Sequence, residues 1–220
     1  MKFMLGTPQV AAVLVTALLS TACTPPATPE VALTGKAKEV VDRSKTTRTT
    51  YAMYSWNEVT FKGQPVQEWG AEFPSGDKHR VETPRDRVIA DCKAQTGVAL
   101  SLETGKTVEG PSVARAACGI NTNKAFTAVE WQGLVRTPFG PADRVHLSDK
   151  TDIRTYDISP TGVILRSTYV QNSPEQRMGL SSEAVAVDSE LPAPDMFDKA
   201  SLARSYVPDR FKTMPGSAAP

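Results

Sequence analysis

The stretch DIRTYDISPTGVILRSTYV, residues 152–170, decides the fold. Its centre, Ser159-Pro160-Thr161-Gly162, carries turn chemistry. Proline presets φ early in a turn, and glycine accepts the positive φ that closes it. Both flanks are rich in β-branched residues, which suit extended backbone. The stretch therefore predicts an antiparallel hairpin. Working outward, TAVEWQGLVRTPFGPADRVHLSD (127–149) reads as two more strands around PFGPA, and EAVAVD (183–188) as a final strand. Upstream, YAMYSWNEVTF (51–61), VQEWGAEF (66–73), KHRVET (78–83), RVIADCK (87–93) and VALSLET (98–104) alternate with the turn signals KGQP, PSGD, PRD and QTG. The period of two is explicit: Gln67, Trp69, Ala71 and Phe73 share one face, and Val66, Glu68, Gly70 and Glu72 the other.

Helices are few. LTGKAKEVVDRSKTTRTTY (33–51) offers Thr34 as an N-cap and sets Ala37, Val40 and Val41 on one face. It fades where β-branched threonines gather at 47–50. EGPSVARAACGINTNKAF (109–126) reads as a loop or short helix pinned by Cys118, and a further short helix is expected near 198–206. Nine or ten strands with two or three helices give an α+β fold. So long an antiparallel sheet must curl to hide its apolar face, and the helices then plug the concave side.

The N-terminus has the features of a secretion signal. Lys2 supplies the charge, VAAVLVTALL (10–19) the apolar run, and Ser20-Thr21-Ala22 a small-residue cleavage site. The run is too short to span a bilayer, which takes about 20 apolar residues. Removing residues 1–22 removes one base and no acid, leaving 24 Lys+Arg against 24 Asp+Glu. A neutral chain without a basic block lacks the footprint of nucleic-acid binding. Of the cysteines, Cys23, Cys92 and Cys118, two should pair in an exported protein and one is left over. Cys23 is either a free thiol beside an ordinary cleavage site or a lipid-attachment site. The usual lipoprotein box has leucine three residues before the cysteine, where this chain has Ser20, with Leu19 one step earlier. TPPATPE (24–30) is a Pro/Thr-rich tether suited to follow an anchor. If Cys23 carries acyl chains such as palmitate, Cys92–Cys118 is the disulfide.

No catalytic pattern stands out. There is no G-x-S-x-G and no H-E-x-x-H. His79 and His146 stand apart on predicted strand edges and are expected to be solvated. Glu68 and Glu72 read as the wet face of a sheet. The aromatic face of Trp69 and Phe73, joined by Trp56 or Phe61, suits either a closed core or the wall of an apolar cavity.

The order of features resembles the LolA/LolB superfamily of periplasmic lipoprotein carriers and receptors, which includes the RseB/MucB-type sensors. RTYDISPTGVILRSTY (154–169) and ELPAPDMF (190–197) carry the resemblance most specifically, with FPSGDKHRVETP and RVIADCKAQTGVALSLE in support. The resemblance implies a half-open β-barrel whose concave side, lidded by helices, holds acyl chains. On that basis Trp56, Trp69, Phe73, Leu100 and Trp131 are expected to line the cavity. The expected organisation is a signal peptide (1–22), a lipid-anchored tether (23–32), the half-barrel (33–207) and a disordered tail (208–220). The expected function is non-catalytic: an outer-membrane lipoprotein facing the periplasm that binds a lipid or acylated protein. It needs no cofactor or metal and binds no nucleic acid. A protein-binding sensor or assembly factor on the same scaffold is the alternative.

Overall fold

The structure, a computed structural model, describes residues 30–46, 50–61, 64–171 and 178–213. Cys23, the signal segment and most of the tether lie outside the described residues. In chain order the elements are α1 (Gly35–Thr46), β1 (Ala52–Phe61), β2 (Gln64–Ser75), β3 (Lys78–Glu82), β4 (Asp86–Asp91), β5 (Thr96–Ser101) and β6 (Thr107–Glu109). They continue with α2 (Pro111–Ala117), β7 (Phe126–Thr137), β8 (Gly140–Asp149), β9 (Asp152–Ile158), β10 (Ile164–Gln171) and β11 (Gly179–Asp188). Three short 3-10 turns follow, Pro194–Phe197, Lys199–Ala203 and Asp209–Phe211.

The strands form one eleven-stranded antiparallel sheet in the order β6-β5-β4-β3-β2-β1-β11-β10-β9-β8-β7. First and last strands meet in its middle, where β1 pairs with both β2 and β11. The sheet does not close; it is a curled half-barrel. The hairpin expected over residues 152–170 is β9–β10, with Gly162 at φ 86° and its N–H donating to the Ser159 carbonyl at 3.0 Å.

Both α-helices lie on the concave face, at opposite ends of the sheet. α1 lays Ala37, Val40 and Val41 on Val145, Leu147 and Ile158, as its spacing requires. α2 is built from small residues and sits directly on Gly97, where an added Cβ would come within 2.9 Å of the Ala114 nitrogen. The disulfide Cys92–Cys118, with Cα atoms 5.5 Å apart, ties the end of α2 to the turn after β4. Closing that loop stabilises the fold by roughly 3 kcal/mol in the chain-entropy model. A Cys92→Ser/Cys118→Ser variant is therefore expected to lose about that much in chemical denaturation, with hydrogen exchange rising first in α2.

The convex face has a cover of its own, the C-terminal segment. Met196 and Val207 pack on Tyr54, Ala71 and Phe73, and Arg80 and Glu82 are fully buried beneath the same segment. Three expectations need correction here. The helix near 198–206 is a 3-10 turn. The strand expected over 98–104 ends at Ser101, and the three-residue β6 follows. The tail expected from residue 208 begins with an ordered turn, because the Phe211 ring stacks on Tyr54 with centroids 4.1 Å apart.

Candidate functional site

Register places the concave side chains in rows. Val66, Val59, Leu180, Tyr169, Arg154, Leu147 and Val129 face one another in turn across β2, β1, β11, β10, β9, β8 and β7. The next row is Glu68, Asn57, Ser182, Ser167, Tyr156, Val145 and Trp131. α1 packs over β7, β8 and β9, and α2 over β3 to β6. Between the helices, apart from Ile164 at the start of β10, which packs with α1, no described helix lies over β10, β11, β1 and β2. That gap is a cleft of about 430 Å³, within the usual range for ligand pockets.

Its floor is polar in the centre and apolar at both ends. Glu68 accepts from Arg85 Nη2 at 2.7 Å, and Ser55 Oγ donates to Asn57 Oδ1 at 3.1 Å. Gly70 makes this arrangement possible, since a Cβ there would stand 2.4 Å from Asn57 Nδ2 and 2.8 Å from Ser55 Oγ. The Tyr169 hydroxyl donates to Asp152 Oδ1 at 2.7 Å. Burial and that bond push its pKa up to about 12, so it is a neutral, fixed donor at physiological pH.

Val81 lines this cleft and also a second space of about 340 Å³ under α2. The second space is an apolar slot walled by Val88, Ala99, Val108, Val113 and Ala117. Cleft and slot together could seat an amphiphile, with alkyl groups against the valines and a polar end against Glu68, Arg85 and Asn57.

The residues expected to line one cavity do not come together. Trp56 and Trp69 lie directly opposite each other on the convex face. Phe73 is buried there beneath the C-terminal segment. Leu100 is on that face too, opposite Arg87, whose Nη1 donates to the Leu202 carbonyl. Trp131 alone is on the concave face, but on the edge strand. Its Nε1 donates to Asp143 Oδ1 at 2.9 Å, beside Arg43 of α1 and away from the cleft. The reason is that both faces need apolar cover, and the aromatic face meets the C-terminal segment rather than a ligand.

The face read as wet, Glu68, Gly70 and Glu72, is the cleft floor. A glycine inside a strand often marks close approach of another group, and Gly70 was the available signal. The histidines also differ from expectation. His79 is buried on the concave face, Nε2 3.5 Å from Glu72 Oε2. His146 is half-buried on the convex face, Nδ1 3.4 Å from Thr155 Oγ1.

No protein-family model matches the chain, and no curated protein matches it in sequence. Solved structures do. An uncharacterised conserved protein from Thermus thermophilus is similar at 14 % identity over 78 % of this chain and 94 % of that one, with a TM-score of 0.51. A LolA superfamily protein from Nitrosomonas europaea matches at 5 % identity over 77 % and 100 %, with a TM-score of 0.41. The Pseudomonas aeruginosa MucA/MucB complex matches at 11 % identity over 74 % of this chain and 61 % of that one, with a TM-score of 0.48. The half-barrel expected from the LolA-like resemblance is the architecture observed, an open antiparallel sheet with helices on one face. At these identities the likeness extends to the fold alone.

Proposed function

We propose that this protein is a bacterial envelope lipoprotein that holds an apolar or acylated ligand, a lipid or a lipoprotein, in the concave cleft without transforming it. Acyl chains on Cys23, palmitate among them, would retain it at the outer membrane, facing the periplasm. The observation that carries the reading is the gap between α1 and α2. It leaves an open cleft that continues at Val81 into the apolar slot under α2. Each methylene buried there would contribute about 0.8 kcal/mol, so a modest length of alkyl chain is enough for stable binding.

The test is direct. Full-length Cys23→Ser protein purified from cells is expected to carry lipid detectable by mass spectrometry after solvent extraction. Val81→Phe, which narrows the junction of cleft and slot, should cut the bound lipid severalfold with the fold intact. Lipid-free protein, or lipid unaffected by Val81→Phe, would sink the proposal. A protein-binding sensor is the second reading. One observation favours it: the twelve-residue β7 ends the sheet and leaves Leu134 70 % exposed. Recovery of a stable protein partner with an empty cleft would select that reading.

A further inference from the structure

Among the described residues the exposed large apolar side chains are unevenly placed. Of ten, six lie at one end of the half-barrel: Val31, Val66, Ile153, Val170, Met178 and Leu180, each between 36 and 52 % exposed. Register puts them together. Val31 bridges to Phe126 at the start of β7, and Ile153, near the start of β9, faces Val170. Val170 in turn faces Gly179 at the start of β11, and Val66 lies near the start of β2. They occupy both faces of the sheet: Val66 and Leu180 belong to the concave row, Ile153 and Val170 to the convex side. A ligand cavity or a groove would gather apolar groups on one face. Apolar groups on both faces at one end describe a rim that enters an apolar medium end-on.

The chain enters the fold at this same rim. Val31 N–H donates to the Phe126 carbonyl at 2.7 Å, and Cys23 lies eight residues upstream. Eight extended residues reach under about 30 Å, so lipid on Cys23 would hold this end of the barrel nearest the bilayer. We infer that the rim is a membrane-docking surface whose partner is the lipid bilayer itself. The inference rests on the anchored reading proposed above. Docking of this kind buries apolar side chains about 5–10 Å into the headgroup boundary and adds to the attachment made by lipid on Cys23. Met178 and Leu180 also line the cleft. These two side chains therefore join the rim to the cleft mouth, where an alkyl chain leaving the bilayer would meet them.

The experiment removes the anchor and keeps the rim. Full-length Cys23→Ser protein is sedimented with vesicles of phosphatidylethanolamine and phosphatidylglycerol. Bound fraction is expected to rise with lipid concentration. Ile153→Lys with Val170→Glu leaves net charge and cleft untouched, and is expected to lower partitioning about tenfold or more. Leu134→Gln, the most exposed apolar residue at the other end, should change nothing. Unchanged sedimentation of the rim pair, loss with Leu134→Gln, or no vesicle binding at all would overturn the rim inference. Lipid extracted from the purified protein would still report separately on the cleft.

Discussion

Replacing Arg80 with alanine is expected to destabilise the protein by about 3–5 kcal/mol and to release the C-terminal segment from the convex face. Arg80 is completely buried, and all five of its guanidinium N–H groups are used. Nε donates to Glu82 Oε1 at 2.7 Å, Nη1 to the Met196 carbonyl at 2.7 Å and to Ser201 Oγ at 2.8 Å. Nη2 donates to the Ser201 and Arg204 carbonyls at 3.3 and 2.9 Å. The guanidinium also lies 4.8 Å from the centroid of the Tyr206 ring. Glu82, equally buried, accepts from Ser205 Oγ at 2.7 Å and from the Tyr206 N–H at 3.1 Å. Removing Arg80 leaves the buried Glu82 with only Arg87, whose Nε is 3.8 Å from Oε2, and removing Glu82 leaves Arg80 without its carboxylate, which is the costly case for an ion pair. Lysine should not rescue, because a point charge with three donors cannot reproduce a planar fork. Arg80→Met/Glu82→Leu should lose less than either Arg80→Ala or Glu82→Ala, since the fully buried pair goes together and Arg87, which loses Glu82, is partly exposed and keeps the Leu202 carbonyl. Urea denaturation reads the stability, and limited proteolysis after residue 190 reads the release. If Arg80→Ala lost under about 1 kcal/mol, the clamp would have no energetic role.

That clamp marks the boundary of what the sequence reveals. The β9–β10 hairpin was legible because its turn chemistry and its β-branched flanks are local. So were α1, whose Ala37, Val40 and Val41 stripe meets Val145 and Leu147 as the periodicity requires, and the strands on either side of PFGPA. The three-residue β6 has no period to read. Sidedness was not legible at all. Alternation along β2 separates Trp69 and Phe73 from Glu68, Gly70 and Glu72, but nothing local says which set faces inward. What decides it is a segment over a hundred residues later: Met196, Ser201 and Tyr206 cover the aromatic face and bind Arg80 and Glu82. With that face filled by the protein's own chain, the polar face is left to the cleft. The burial of His79 follows from the same long-range geometry, since α2 and its disulfide close over that corner of the concave face.

Asp149 is the second place where one side chain should matter greatly, and pH should reveal it. It sits in the β8–β9 turn, buried, and Oδ1 accepts from the Thr151 N–H at 2.8 Å, the Thr151 hydroxyl at 2.7 Å and the Asp152 N–H at 2.9 Å. Oδ2 accepts from Arg154 Nη2 at 2.9 Å, with Lys124 Nζ at 3.0 Å. Burial alone would raise its pKa. The bonds from Thr151, Lys124 and the two backbone N–H groups outweigh burial and hold the carboxyl well below the usual carboxylate range. A depressed folded-state pKa stabilises the protein above the unfolded value of about 3.9, and that stability is lost as pH falls from there toward the folded value. Asp152, lowered by Lys124 and Tyr169 against its own burial, adds in the same direction. Asp149→Asn is therefore expected to cost about 3 kcal/mol or more at pH 7, because Arg154 and Lys124 lose their shared anion. The gap between wild type and variant should narrow as pH drops below about 4, since wild type then loses what the variant never had. Denaturation series at pH 7, 4 and 3 check this, and a gap that stays constant would show that the carboxylate's charge is not what holds the turn. Ile153 follows this turn at the start of β9, so Asp149→Asn should also loosen the apolar rim, weakening vesicle binding of the unacylated chain while Arg80→Met/Glu82→Leu, on β3 with four strands between it and β9, leaves it unchanged.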